Sequence, residues 1–527
     1  MRYTDFYSTK VTPQSRPIPG EDMVKNNAGG YVYKADKLTR LLRFLILGVE
    51  SGSYYVGKQE LVIENATVVR DLAETHGREA VEMIVDVSVS GRAAKNDPAL
   101  FALAICASAK NDMTRIYALA ALPKVARTAS HLMQFTSFVT HFRGWGRGLR
   151  TAVANWYLEK SKNSLAYQAV KYRSRNGWSH RDLLRVSHPS TENVAKNAIF
   201  KWIVSGEMST ALPGLIEDFE QLQLASEGEA VKLLENNKSL TWEMLPTTLL
   251  NSKRIWSALL VSMPMTAMIR NLPKMTSVGL FPPFSTNATH VQQLLANEDV
   301  LQKARIHPLK VLAALLGYQN GANRNLIWTP NLTIVSALEK AFYKTFRYVK
   351  PTYKNIILAI DVSGSMGMRN VSGILGMTPA MAAAAQALVL ANTEPNHYIF
   401  GFNREFTRLP IRPEMSLKEV MQITYHSTFG GTDCSLPMRY AEKHELYNVD
   451  AFVILTDYET WTGLVHPSQA LDSYEKAAKK SAKLISVGMV ANAHTFNSYK
   501  AIAANNVLDV VGFDTNTPET INTFLKM

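Results

Sequence analysis

The chain changes its hydrophobic rhythm near residue 350. Before that point apolar residues recur at helical spacing: Leu38, Leu41, Leu42 and Leu45 fall at i, i+3, i+4 and i+7, with Arg40 and Arg43 read as lying on other faces. The same spacing predicts helices over 98–110, 112–121, 147–160, 192–202, 251–261 and 309–316, and almost no strand. Helices of one to four turns cannot bury their apolar stripes singly, so stacking as helical-repeat pairs is expected, although no fixed period is visible. From about residue 352 the pattern becomes short continuous apolar runs separated by helical segments. Runs 355–360, 397–402, 450–457, 484–490 and 507–511 read as buried strands. Segment 468–480 reads as a helix, and another starts at Thr378-Pro379, an N-cap followed by proline at the first helical position. The predicted fold class is therefore multidomain α and α/β: helical repeats over 1–350, then a doubly wound parallel sheet with helices over 351–527.

The ends of two predicted strands carry the candidate chemistry. Ile356–Ile360 runs into Asp361-Val362-Ser363-Gly364-Ser365, which places a carboxylate and two hydroxyls at i, i+2 and i+4 of one turn. A second apolar run ends in Asp457, and the loop Gly430-Gly431-Thr432 supplies another hydroxyl. Strand-terminal ligands gather outside the carboxyl edge of a parallel sheet. Asp361, Ser363, Ser365, Thr432 and Asp457 offer only hard oxygen donors, which suits a divalent cation, Mg²⁺ above all. The alternative for such turns is helix capping. Cys434, beside the loop, reads as a small buried thiol rather than a nucleophile.

Charge separates the two parts further. Residues 351–527 carry 14 Lys+Arg against 16 Asp+Glu, whereas residues 1–350 carry 43 against 28. The excess is concentrated in 143–188, with 10 Lys+Arg and only Glu159 and Asp182 as acids, the footprint of a protein that meets a polyanion. Arg147 and Arg150 share a helix face opposite Leu149, Val153 and Trp156. Lys171 and Arg175, four apart, are read as sharing another, ended by Asn176-Gly177 as a helix stop. Ser179 is placed to cap the next helix with Asp182 three residues on, and Arg181, Arg185 and His188 follow at i, i+4 and i+7. Arg173 adds a further cation. A solvated helix face is the bland alternative, and the scarcity of compensating acids speaks against it. Trp145, Tyr172 and Trp178 lie among these charges, where packing is the usual role of an aromatic and stacking on bases the functional one.

The segment Lys171-Tyr172-Arg173-Ser174-Arg175-Asn176-Gly177-Trp178-Ser179-His180-Arg181-Asp182 and onward to His188 resembles part of the Ro/SS-A ribonucleoprotein family, the Ro autoantigen family, whose helical-repeat part is the TROVE module. Met263–Leu272, Gly430–Pro437 and Thr456–Thr460 resemble further family landmarks in the right order, so the likeness spans both domains. It implies a HEAT-like TROVE ring over 1–350 and a von Willebrand factor A domain over 351–527, with a metal-ion-dependent adhesion site at Asp361, Ser363, Ser365, Thr432 and Asp457. It also implies Y-like small noncoding RNA on the outer basic surface at Lys171, Arg175 and His188. Single-stranded 3′ ends of misfolded structured RNA are expected in a central hole, in RNA quality control. An exoribonuclease or another protein is an expected partner, met through the RNA or the A domain. The divergence around 215–240 from animal members points to a bacterial or viral source.

Other properties narrow the class. No apolar run approaches the ~18–20 residues a membrane helix requires, and Met1–Gly20 lacks the apolar stretch of a signal peptide. Two distant cysteines, Cys106 and Cys434, argue for a reducing compartment. A cytoplasmic, monomeric, noncatalytic RNA-binding protein is the leading expectation. A metal-dependent protein-interaction module with an incidental basic face is the alternative. A metal-assisted nuclease or phosphatase is third, since the turn lacks the carboxylate-rich pair of a two-metal site and no histidine cluster or phosphate-cradling loop is evident.

Overall fold

A computed structural model describes residues 11–48, 58–93, 95–304, 306, 308–323, 326–345, 351–367, 377–425, 430–497, 506–512 and 517–526. By packing, the chain divides into two compact units, one of 1–68, 92–94 and 346–527, the other of 69–91 and 95–345. The division differs from the sequence boundary at 350 on the N-terminal side, because the first 68 residues group with the α/β part. The reason lies in main-chain pairing. Val24–Lys25 pairs antiparallel with Tyr31–Lys34, which in turn takes His494–Thr495 as its other neighbour. Strands of two and four residues leave too short an alternation to be read from sequence.

In the first unit, six strands form one sheet in the order Val507–Val511, Lys483–Gly488, Ala451–Thr456, Ile356–Asp361, His397–Phe402 and Phe406–Arg408. The first five are mutually parallel, as the doubly wound expectation requires. Phe406–Arg408 adds an antiparallel edge, so the sheet is mixed. Ile356–Asp361 and Ala451–Thr456 are buried at every position, which is why they read as continuous apolar runs. The expected helix start is present: the Thr378 side chain accepts from the Met381 N–H at 3.2 Å, with Pro379 at the first turn of Pro379–Thr393.

The second unit is helical, as predicted. Gly77–Ser90 packs on Asp112–Val125, which packs on Arg147–Leu158, which packs on His180–Ser187; Asp97–Cys106 packs on Ala129–Phe142. Alternate helices therefore neighbour one another in layers, as stacked pairs do. Where Gly77 meets Asp112–Val125, a Cβ would fall 1.8 Å from Thr114 Oγ1, so only glycine permits that approach. Among the described residues no helix is long and apolar enough to cross a membrane.

Two local readings change. Asn176-Gly177 is not a helix stop but the tip of a hairpin between Ser174–Arg175 and Trp178–Ser179, with φ of 50° and 79°. Two central residues at positive φ make the primed turn that Asn-Gly favours. The preceding helix ends at Lys171, so Arg175 sits on the hairpin and not on a helix face shared with Lys171. Arg40 and Arg43, read as lying away from the apolar face, are both buried.

Candidate nucleic-acid interface and metal centre

The basic segment is displayed largely as the spacing suggests. Leu149, Val153 and Trp156 are fully buried, and this turns Arg147 and Arg150 outward to exposed positions. The Ser179 hydroxyl and Asp182 carboxylate form a reciprocal capping box that starts His180–Ser187, and His188 closes that helix at φ 47°. A cleft lined by Trp145, Arg147, Arg150, Thr151, Ser187 and His188 brings the two arginines and the histidine together. Arg173, Arg175, Arg181 and Arg185 are exposed on the hairpin and the following helix. Asp182, one of two acids in the segment, is engaged with its own cap at 2.9 Å from Ser179 N, so it pairs with none of these cations. Trp145 and Trp178 meet edge-on with ring centres 5.6 Å apart and both remain half-buried.

Lys171 stands apart from this group. Its side chain is 10% exposed, its ammonium donates to Tyr167 Oη at 2.8 Å, and Glu243 lies at 3.8 Å. Burial works against the charge, but Tyr167, Tyr172 and Glu243 hold its pKa above the usual lysine value. Its ammonium thus lies mostly inside the fold and away from the arginine cleft.

A second group of cations escaped the sequence reading. Arg127 and Arg270 reach solvent, the Arg127 guanidinium also donating to Ser88 Oγ at 2.6 Å, while the Lys310 ammonium close to them is largely covered. The Lys310 ammonium has its pKa lowered by burial and then by the positive charges of Arg127 and Arg270. The same neighbourhood includes His131, whose pKa falls to about 4 through burial, then Arg127, with Lys310 contributing. Residues so far apart along the chain leave no local signal.

At the sheet's carboxyl edge, Asp361 and Asp457 are buried side by side. Asp361 Oδ1 accepts from the Ser363 N–H at 2.9 Å and Oδ2 from Thr456 Oγ1 at 2.6 Å. Ser363 Oγ and Ser365 Oγ are 3.0 Å apart, and Asp361, Ser363, Ser365, Thr456 and Asp457 are all under 5% exposed. Burial pushes the Asp361 carboxyl up to about 6. It pushes Asp457 well above the usual range, helped by the charges of Asp361 and Glu459. No lysine, arginine or histidine forms an ion pair with either aspartate among the described residues. No group of three His, Cys, Asp or Glu side chains is arranged for a metal among those residues either. What is brought together is a mixed carboxylate and hydroxyl set, all oxygen, in which the two neighbouring carboxyls disfavour each other's ionisation. Thr432 is buried two residues before Cys434, whose Sγ lies 3.9 Å from Thr456 Oγ1. Burial, then Asp361, drives that thiol well above its ordinary pKa, as befits an inert packing group.

A third buried acid, Glu459, is held by the N-terminal segment. Its carboxylate accepts from Asn27 Nδ2 at 2.8 Å and Ala28 N at 3.2 Å, with His494 Nδ1 and Asn492 Nδ2 each at 3.2 Å. Gln14 likewise donates to Asp433 at 2.7 Å beside the Thr432 loop.

A helical-repeat unit with a basic face and a Rossmann-like domain with an oxygen-rich strand-end site define a TROVE protein with a von Willebrand factor A domain. The family model of the TROVE domain matches residues 24–222 and 208–322, and that of the Ro60 vWA domain matches 355–525. The chain is 38% identical over 527 residues to the RNA-binding protein RO60 of Deinococcus radiodurans, covering 98% of each. It is 31% identical over 599 residues to the RNA-binding protein RO60 of Caenorhabditis elegans, covering 98% of this chain and 92% of that one. The crystal structure of the Deinococcus radiodurans RO (RSR) protein is similar with a TM-score of 0.71, over 93% of this chain and 99% of that one. The chain belongs to the Ro60 family.

Proposed function

We propose that this chain is an RNA-binding protein that holds a structured, Y-like small noncoding RNA on the basic face of its helical unit. The observation that carries the reading is the cleft of Arg147, Arg150 and His188, flanked by the exposed Arg173, Arg175, Arg181 and Arg185. Arginine and lysine neutralise phosphates without reading sequence, and the half-buried Trp145 and Trp178 offer ring edges beside them. The relatives named as RNA-binding proteins support the same class. Arg147→Ala with Arg150→Ala should weaken binding of a folded RNA and flatten its log–log salt dependence by up to about two units, at roughly 0.9 per phosphate contact on B-DNA. Unchanged affinity and slope in the folded double variant would remove this face.

The convergence of Arg127, Arg270 and Lys310 favours a second mode, in which an unpaired 3′ end of a misfolded RNA reaches those cations within the hole that the family resemblance implies. The metal reading belongs here too. Asp361, Ser363, Ser365, Thr432 and Asp457 would hold Mg²⁺, which when bound supplies a Lewis-acidic point for an acidic group of a partner, an exoribonuclease among the candidates. The hydroxyls position and the two carboxylates neutralise.

A further inference from the structure

A recess beside Lys171, distinct from the arginine cleft, holds buried polar atoms with nothing to bond. It lies where the helix Lys162–Lys171, the segment 238–243 and the junction of Lys253–Leu260 with Met265–Ser277 meet, and its volume is about 130 Å³. Tyr167, Trp242 and Met263 contribute apolar wall, and the exposed Lys238 and Ser239 mark its mouth. Thr241 Oγ1 and Glu243 Oε2 are buried without a hydrogen-bond partner. Glu243 Oε1 is 3.8 Å from Lys171 Nζ, too far for a hydrogen bond. Unpartnered buried polar atoms are rare in native proteins and ask for a ligand or water. Lys171 carries three donors, of which Tyr167 and Tyr172 take at most two.

These atoms set the chemistry of an occupant. It should be compact: the recess of about 130 Å³, open at Lys238 and Ser239, admits the edge of a single heterocycle and no larger group. It should present two adjacent N–H donors to the carboxylate and an acceptor to the ammonium beside it. A guanidinium has the donors but would meet the positive charges of Lys171 and Lys238. Guanine has N1–H and N2–H side by side with O6 adjoining. Adenine and cytosine place a ring-nitrogen acceptor where this carboxylate needs a donor, and uracil sets one N–H between two carbonyls.

We propose that the recess is a guanine site, with N1–H and N2–H donated to Glu243 and O6 accepting from Lys171. The base comes either from an unpaired position of an RNA, which rests on the RNA-binding reading, or from a free guanine nucleotide, which does not. The full chain should be titrated with GMP, IMP and AMP, and with short RNA strands that differ only by G or A at one unpaired position. Guanine should be preferred over the other bases by roughly tenfold, with inosine weakened by loss of the N2 amine. Glu243→Gln should erase the preference, and Lys171→Met should lower guanine affinity by a similar factor and serve if the first variant does not fold. A preference in GMP assigns a free nucleotide, and one confined to the strands assigns RNA. No preference in either arm, or one that survives in Glu243→Gln, overturns the site. If structured-RNA binding still depends on Arg147 and Arg150 in that event, the recess alone falls and the RNA-binding reading stands.

Discussion

Arg43 and Asp509 are joined by two parallel hydrogen bonds of 2.9 and 2.8 Å, the guanidinium fully buried and lying 4.4 Å over the ring of Tyr458. The same arginine donates to the His494 carbonyl at 2.7 Å, and Tyr458 Oη donates to Asp509. One side chain from the N-terminal helix Lys37–Leu47 thus ties that helix to the strand Val507–Val511 and to the segment that pairs with Tyr31–Lys34.

Arg43→Ala should destabilise the protein by about 3–5 kcal/mol, because it strands a buried carboxylate. Urea denaturation gives the value. The paired change Arg43→Met with Asp509→Leu should lose much less than the single change, since no lone charge remains. A single variant within about 0.5 kcal/mol of wild type would show the pair to be dispensable.

The arrangement also explains what the sequence could and could not tell. Ile356–Asp361 and Ala451–Thr456 were legible because strands covered on both faces are apolar throughout, and the capped starts at Thr378-Pro379 and Ser179 were legible because caps are local. Arg43 was not, because an arginine in an amphipathic helix looks solvated until a partner hundreds of residues away neutralises it. Asn176-Gly177 carried a hairpin signal, but flanking strands of two residues gave no alternation to support it. The strand-end site was half legible: Asp361, Ser363, Ser365 and Asp457 announce themselves by ending apolar runs, whereas the cage of Asn27, Asn492 and His494 around Glu459 is assembled only by the fold.

Acid should destabilise the helical unit through His180. The imidazole is buried, accepts at Nδ1 from Tyr157 Oη at 2.9 Å and donates from Nε2 to the Gln168 carbonyl at 3.2 Å. Burial lowers its pKa from 6.5 to about 4. The folded state stays neutral while the unfolded chain takes up the proton first, so there is no penalty above about pH 6.5 and stability falls as pH drops from there toward 4. The loss at the acid end is on the order of 3 kcal/mol. Denaturation of wild type and His180→Gln across pH 7 to 4.5 isolates this contribution. Parallel profiles would rule it out.

Magnesium should raise the melting temperature of the wild-type protein and not that of Asp361→Ala. A ligand at a hundred times its Kd contributes about 2.7 kcal/mol to the state that binds it. Calorimetric melts with Mg²⁺ and with chelator, on both proteins, make the comparison. The same magnesium-dependent shift in both would place the ion elsewhere.

The measurement that bears most directly on the central claim is ultraviolet crosslinking of RNA to the protein in its native cell, with crosslinked peptides located by mass spectrometry. Crosslinks should concentrate at 143–188, at or near Trp145, Trp178 and His188, where exposed arginines surround the cleft. Crosslinks confined to 351–527, or a protein that carries no RNA at low salt, would contradict the account.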